Sequence, residues 1–189
     1  MRQLITTAAV FFPALVSGAN ETANTLPPFP TLPEGEVLLL TPADHRFSRY
    51  SPAYNRRTML QPKLRAVCRI PAAVSAMVQW LRSQQLPFAV RSGGHSFEGL
   101  SESSSVVIDL RSLNQIEVDV ARQTVSVGPS ASLGVAIYRA LASRGYALPA
   151  GTCLTVGVAG HALGGGYGMV SRQVRPTLRQ PPLVEARRS

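Results

Sequence analysis

Six of the twelve residues from Gly157 to Gly168 are glycine, at 157, 160, 164, 165, 166 and 168, and no other feature of the chain constrains its fold so strongly. Glycine loses more backbone freedom on folding than any other residue. Such a run therefore belongs where the chain must take left-handed turns or where something approaches the backbone closely. Neither familiar phosphate-binding fingerprint explains it. There is no G-x-x-x-x-G-K-[ST], and Met169 stands where a G-x-G-x-x-G begun at Gly164 needs its last glycine. A second glycine segment, RSGGHSFEG at 91–99, directly follows the apolar stretch PFAV at 87–90. Adjacent Gly93 and Gly94 can take positive φ and turn successive backbone N–H groups into one concavity, which holds phosphate without a lysine. His95 leaves the same turn. Taken alone, a Gly-Gly-His turn is more often only a turn.

The residues between and before these segments predict mixed α and β structure. Val74, Met77, Val78 and Leu81 recur at helical spacing after Pro71, which suits a first helical turn, and Pro87 lies just past the end. PFAVRSGG (87–94) predicts a short buried strand running into a glycine turn, and VVIDL (106–110) a second strand. Ile116, Val118 and Val120 alternate with Glu117 and Asp119, a half-buried strand, and TVSVG (124–128) supplies its hairpin partner. Leu133, Ala136, Ile137, Ala140 and Leu141 mark a second amphipathic helix ended by Gly145. No internal repeat is visible.

RSGGHS (91–96) followed by GTCLTVGVAGHALGGGYG (151–168) resembles the FAD-linked oxidases of the vanillyl-alcohol oxidase and p-cresol methylhydroxylase superfamily. The berberine-bridge-enzyme-like and glucooligosaccharide-oxidase-like branch is the best match, over residues 61–172. The resemblance implies an α+β fold, the two-subdomain FAD-binding domain of the p-cresol methylhydroxylase type. It also implies an FAD whose diphosphate lies on the RSGGHS turn. His95 matches the histidine that bonds to the flavin 8α carbon, and Cys153 the cysteine that bonds to flavin C6 in bicovalent members. A neutral imidazole and a thiolate are competent nucleophiles for those positions. Arg91, Ser92, Gly93, Gly94, Ser96, Gly157, Gly160, His161 and Gly165 match further FAD contacts. Alternatives remain for several of these residues: His95 as a structural turn residue, Cys153 as a buried small hydrophobe or a disulfide partner of Cys68, and His161 as a packing or capping group. Two places are open to Tyr167, beside the flavin or, as is expected, in the core, and Asp109 is expected as a turn or capping residue rather than a catalytic base. The chain departs from the family at Leu154, where a proline is usual, and at GPSAS (128–132), where a G-x-G-A turn is usual. The family's later substrate domain has no counterpart here, so no catalytic base is named and no metal is expected.

The implied activity is FAD-dependent oxidation: hydride from a substrate C–H to flavin N5, oxygen as acceptor, and an alcohol or sugar as substrate. Two alternatives are a non-catalytic flavin-binding fragment and a basic exported interaction protein. The net charge of +9 does not favour a nucleic-acid partner. It is concentrated before and after the motifs, with +6 over residues 40–70 and +4 over 171–189, whereas residues 71–170 carry only +1. Arg2, the apolar stretch at 4–16 and small residues Ser17 and Ala19 fit a secretory leader over 1–19 and an exported protein. That stretch is too short to span a membrane. Pro27, Pro28, Pro30 and Pro33 mark residues 20–60 as a Pro-rich linker and basic lead-in. Residues 173–189, rich in Arg and Pro, suit a solvated tail and suggest a truncated or frame-shifted end.

Overall fold

The structure, a computed structural model, describes residues 26–29, 35–50, 53–58, 60–122 and 124–172. The expected leader at 1–19 and the tail at 173–189 lie outside the described residues. Four strands form the main sheet in the order β1-β2-β4-β3: β1 (Val37–Leu40), β2 (Leu64–Cys68), β3 (Phe88–Arg91) and β4 (Val106–Asp109). β2 and β3 both run parallel to β4, and β1 pairs antiparallel with β2. Side chains alternate across a strand, so each strand sorts its residues between two faces. Leu64, Ala66 and Cys68 of β2 and Val106 and Ile108 of β4 join one core with Ala73, Met77, Trp80 and Leu81. The last four belong to the helix Pro71–Ser83, whose N-terminal proline and apolar spacing are those expected from the sequence. Val67 packs on the opposite face with Leu40 and Phe47, the latter from the single turn α1 (Phe47–Tyr50). We call the long helix α2.

The lead-in does more than link. Val37–Leu40 is an edge strand of the main sheet, in register from Val37 opposite Cys68 to Leu40 opposite Arg65. Farther upstream, Phe29 lies against the Trp80 ring at 4.9 Å between centroids, and the indole N–H donates to the Pro28 carbonyl at 3.0 Å.

A second unit packs around its own core. The expected hairpin is present as β5 (Ile116–Asp119) and β6 (Thr124–Val127). The next helix opens as a π-helical stretch, Leu133–Tyr138, with Ile137 N–H bonded back to the Ser132 carbonyl at 3.0 Å. It closes as α3 (Arg139–Ala142). Leu133, Ile137 and Leu141 bury against Val125, Leu148 and Val158. Gly145 follows at φ +76°, as its role in ending the helix requires. The glycine-rich segment is stitched to this unit by Leu133 N–H to Val156 O (3.0 Å) and Val158 N–H to Ala131 O (2.9 Å), then forms α4 (Val158–Leu163).

Candidate cofactor site

The two glycine segments touch backbone to backbone. A Cβ built on Gly157 would strike the Ser92 hydroxyl and lie 2.6 Å from the Gly93 nitrogen, and one on Gly93 would lie 3.0 Å from the Thr155 carbonyl oxygen. No side chain fits between them, so glycine is required at both positions. The turn after β3 is fixed by Gly94 at φ +69°, by Tyr54 N–H to Gly94 O (3.0 Å), and by the Ser92 hydroxyl donating to Pro129 O (2.7 Å). The Ser96 hydroxyl accepts from Leu100 N–H at 3.0 Å and closes the turn on its far side. Among the described residues, the amides of Gly93, Gly94, His95 and Ser96 meet no protein acceptor. Ser130, next to Pro129, keeps a buried hydroxyl that likewise has no partner among them. A run of free amides at the C-terminal end of a parallel strand, beside a left-handed glycine, has the donor chemistry of an anion nest and suits a diphosphate.

At the mouth of this turn the two segments bring their nucleophiles together. His95 Nδ1 lies 4.0 Å from Cys153 Sγ, and His95 Nε2 lies 2.9 Å from the Thr155 hydroxyl oxygen. Tyr54 stacks on the imidazole at 4.3 Å between centroids and 21° between planes, and Phe97 meets Tyr54 edge-on. Partial burial and then the Arg91 charge lower the His95 pKa, which keeps the ring neutral and nucleophilic near pH 7. Cys153 is exposed and free, which overturns both alternatives for it, the buried hydrophobe and the disulfide. Cys68 is free and buried in the main core, where desolvation, followed by the Asp109 charge, pushes its thiol up to about 12.

The loop that carries Cys153 is clamped at Gly151. Its N–H donates to His161 Nε2 at 3.1 Å, and its carbonyl accepts from the Tyr138 hydroxyl. His161 is thus neutral with its proton on Nδ1, in keeping with a pKa lowered by burial. In this arrangement its ring holds the Cys153 loop at Gly151. Gly165 and Gly166 take φ +105° and +63°, and Gly168 abuts the Ala150 carbonyl. A Cβ on Gly160 would meet nothing within 4 Å. Tyr167 is 77% exposed, which corrects its assignment to the core: it follows the left-handed pair and projects outward.

Beneath the turn lies a buried charge network that sequence reasoning did not detect. Arg65, fully buried, donates to Glu102 (3.2 Å) and to Asp109 (3.2 Å). Glu102 also accepts from Arg91 at 2.7 Å, and Asp109 binds Arg111 through both carboxylate oxygens, at 2.9 and 2.8 Å. Asp109 also caps the Arg111 amide at 3.0 Å, the role expected for it. Arg91 forms the floor of the glycine turn, since a Cβ on Gly94 would lie 2.6 Å from two of its guanidinium nitrogens. Sheet register explains the cluster: Arg91 and Val67 both stand opposite Asp109, and Arg65 stands two residues before Val67 on the same face of β2. Its one signal in the sequence is an arginine inside an otherwise apolar strand, LRAVC. Thr155 and Tyr54 carried no such signal, because their partner is 60 residues away in one case and in a separate loop in the other. His45 and the Arg56–Arg57 pair are exposed to solvent, away from this network.

The two glycine segments thus lie in backbone contact, with His95 and Cys153 side by side at their edge. The FAD binding domain family matches residues 62–179, and the chain belongs to that family. The chain is 35% identical over 147 residues to Berberine bridge enzyme-like 21 of Arabidopsis thaliana, a match covering 69% of this chain and 27% of that protein. To the aclacinomycin-N/aclacinomycin-A oxidase of Streptomyces galilaeus it is 49% identical over 88 residues, 45% of this chain and 16% of the relative. Among solved structures, a chitooligosaccharide oxidase superposes with a TM-score of 0.66 at 33% identity, covering 72% of this chain and 30% of that one. The chain therefore spans about a quarter of the length of the curated relatives it matches. Its mixed α/β architecture is that of the FAD-binding domains of these oxidases.

Proposed function

We propose that this chain is the FAD-binding part of a FAD-dependent oxidoreductase, with the cofactor held covalently through His95 and also through Cys153. The convergence of His95 Nδ1 and Cys153 Sγ to 4.0 Å from two segments 58 residues apart carries this reading. The free amides of Gly93–Ser96 would take the diphosphate, and the close packing of Gly93 on Gly157 would leave room for a flat ring system at the rim. Arg91 acts from below, holding the turn through Glu102 and disfavouring a proton on His95. When bound, FAD supplies an electrophilic ring edge for the two nucleophiles, with proton loss to solvent and reoxidation by oxygen, and a hydride acceptor for substrate oxidation. An alcohol or a sugar is the substrate class, in line with the relatives whose names carry "oxidase". Export belongs to the same reading and rests on the leader-like pattern at 1–19.

Anaerobic mixing of the flavin-loaded chain with a panel of alcohols and oligosaccharides tests the activity. Bleaching of the oxidised flavin band, restored by oxygen, is the expected result. A loaded chain that no substrate bleaches, alone or joined to the remaining length of its relatives, supports the non-catalytic flavin-binding module instead.

A further inference from the structure

We infer that Thr155 is a positioning residue that selects the tautomer of His95 and aims Nδ1 toward the cofactor edge. A neutral imidazole has one N–H and one lone pair, and only the nitrogen with the lone pair is a nucleophile. The two ring nitrogens of His95 face unequal partners. Nε2 has a hydroxyl oxygen at 2.9 Å, able to accept at full strength, whereas among the described residues Nδ1 has only the Cys153 sulfur at 4.0 Å. Thr155 is exposed, so its own O–H is free to donate to water while Oγ1 accepts from Nε2–H. The proton then rests on Nε2, and the Nδ1 lone pair faces Cys153. Both nucleophiles consequently look into one space. Stacking on Tyr54 holds the plane of the imidazole, and Thr155 fixes its rotation within that plane. Two carbonyls near this hydroxyl anchor the segment: Leu154 O accepts from Gly134 N–H (3.1 Å) and Val156 O from Leu133 N–H (3.0 Å). The hydroxyl is therefore carried by backbone tied to the second unit, and its position does not depend on the histidine it orients.

The inference rests on the covalent reading above, but the following experiment separates them. Nitrogen-15 NMR of histidine-labelled, flavin-free full chain reports the tautomer directly. The wild type and Thr155→Ser should show His95 protonated at Nε2, and Thr155→Val should show a mixture of both forms. In parallel, the time course of covalent flavin attachment is followed by denaturing mass spectrometry. Thr155→Val should slow attachment roughly five- to tenfold, the scale of one net hydrogen bond, and Thr155→Ser should restore it. A wild-type His95 protonated at Nδ1, or Thr155→Val attaching flavin at the wild-type rate, overturns the inference. Absence of attachment in the wild type defeats the covalent reading and leaves the NMR result to decide the role of Thr155. If Thr155→Val does not fold, the wild-type tautomer and the Thr155→Ser rate still decide it.

Discussion

Glu102→Gln is the substitution whose effect follows most directly from the charge network under the glycine turn. The carboxylate is 1% exposed and bridges two guanidinium groups, Arg65 at 0% and Arg91 at 7% exposure. Glutamine keeps the shape but removes the charge. One of its two terminal atoms becomes an N–H donor facing a cation, so one contact turns from attractive to repulsive. Asp109 is then the one carboxylate left in a network of three arginines, and among its buried groups, Arg65, Arg91, Glu102 and Asp109, a balanced charge becomes an excess of one positive. Removing one partner of a buried ion pair costs about 3–5 kcal/mol. Arg65 retains Asp109, which places this case at the lower end, about 3 kcal/mol. Total stabilities run to about 5–15 kcal/mol, so such a loss is a large fraction of the whole. The assay is equilibrium urea unfolding, read from the midpoint at constant slope, with exposed Glu98→Gln as the control. Because Arg91 is the floor of the Gly94 turn, flavin loading of the variant should fall as well. A Glu102→Gln midpoint within about 0.5 kcal/mol of wild type, the range of an ordinary surface substitution, would refute the network's role.

Other consequences can be checked on the same preparation. Native flavin-free chain should give one fast-reacting thiol with a disulfide reagent, exposed Cys153, while Cys68 reacts only after unfolding because burial pushes its thiol up to about 12; two fast thiols would contradict the core placement. His161 and His95 have folded pKa values below the unfolded value of about 6.5, so the unfolded chain binds more protons just under that pH. Their contribution is full above about pH 6.5 and is lost as pH falls through that value toward the lower folded pKa, so the melting temperature should drop from pH 7.5 to 5.5. His161→Gln should flatten that slope; a melting temperature that rises on acidification would reverse the sign and sink the assignment. Gly157→Ala, forced against Ser92 and Gly93, should lower the urea midpoint by the equivalent of about 1–3 kcal/mol and abolish flavin loading; a variant that unfolds and loads like the wild type would contradict the close packing of the two segments.

The hairpin and α2 were legible because their cores need only one face of a local element. Alternation at Ile116, Val118 and Val120 and the spacing of Met77 and Leu81 state which side is buried without reference to the rest of the chain. β2 escaped because Arg65 interrupts its apolar run, and what makes a buried arginine tolerable there is Asp109 and Glu102, 44 and 37 residues away. The π-helical start of the helix before α3 was hidden for a related reason. Leu133, Ile137 and Leu141 satisfy an ordinary helical period, and the wider first turn shows only in the Ile137–Ser132 hydrogen bond. Tyr167 misled because an aromatic residue among glycines reads as core, while two left-handed glycines before it turn the chain outward. At the site, the glycines announced a close backbone approach. That His95 and Cys153 meet was carried by the family resemblance, and the hydroxyl and ring that orient His95 emerge only from the folded geometry.

The central claim is that His95 and Cys153 hold FAD by two bonds. Denaturing intact-mass measurement of the full chain produced with FAD available tests it most directly, alongside His95→Ala and Cys153→Ala. One FAD should be added to the wild-type mass and kept in each single variant through the remaining bond, and the double variant should keep none. A wild-type chain that shows only the mass of the polypeptide, or a double variant that keeps the adduct, would contradict it.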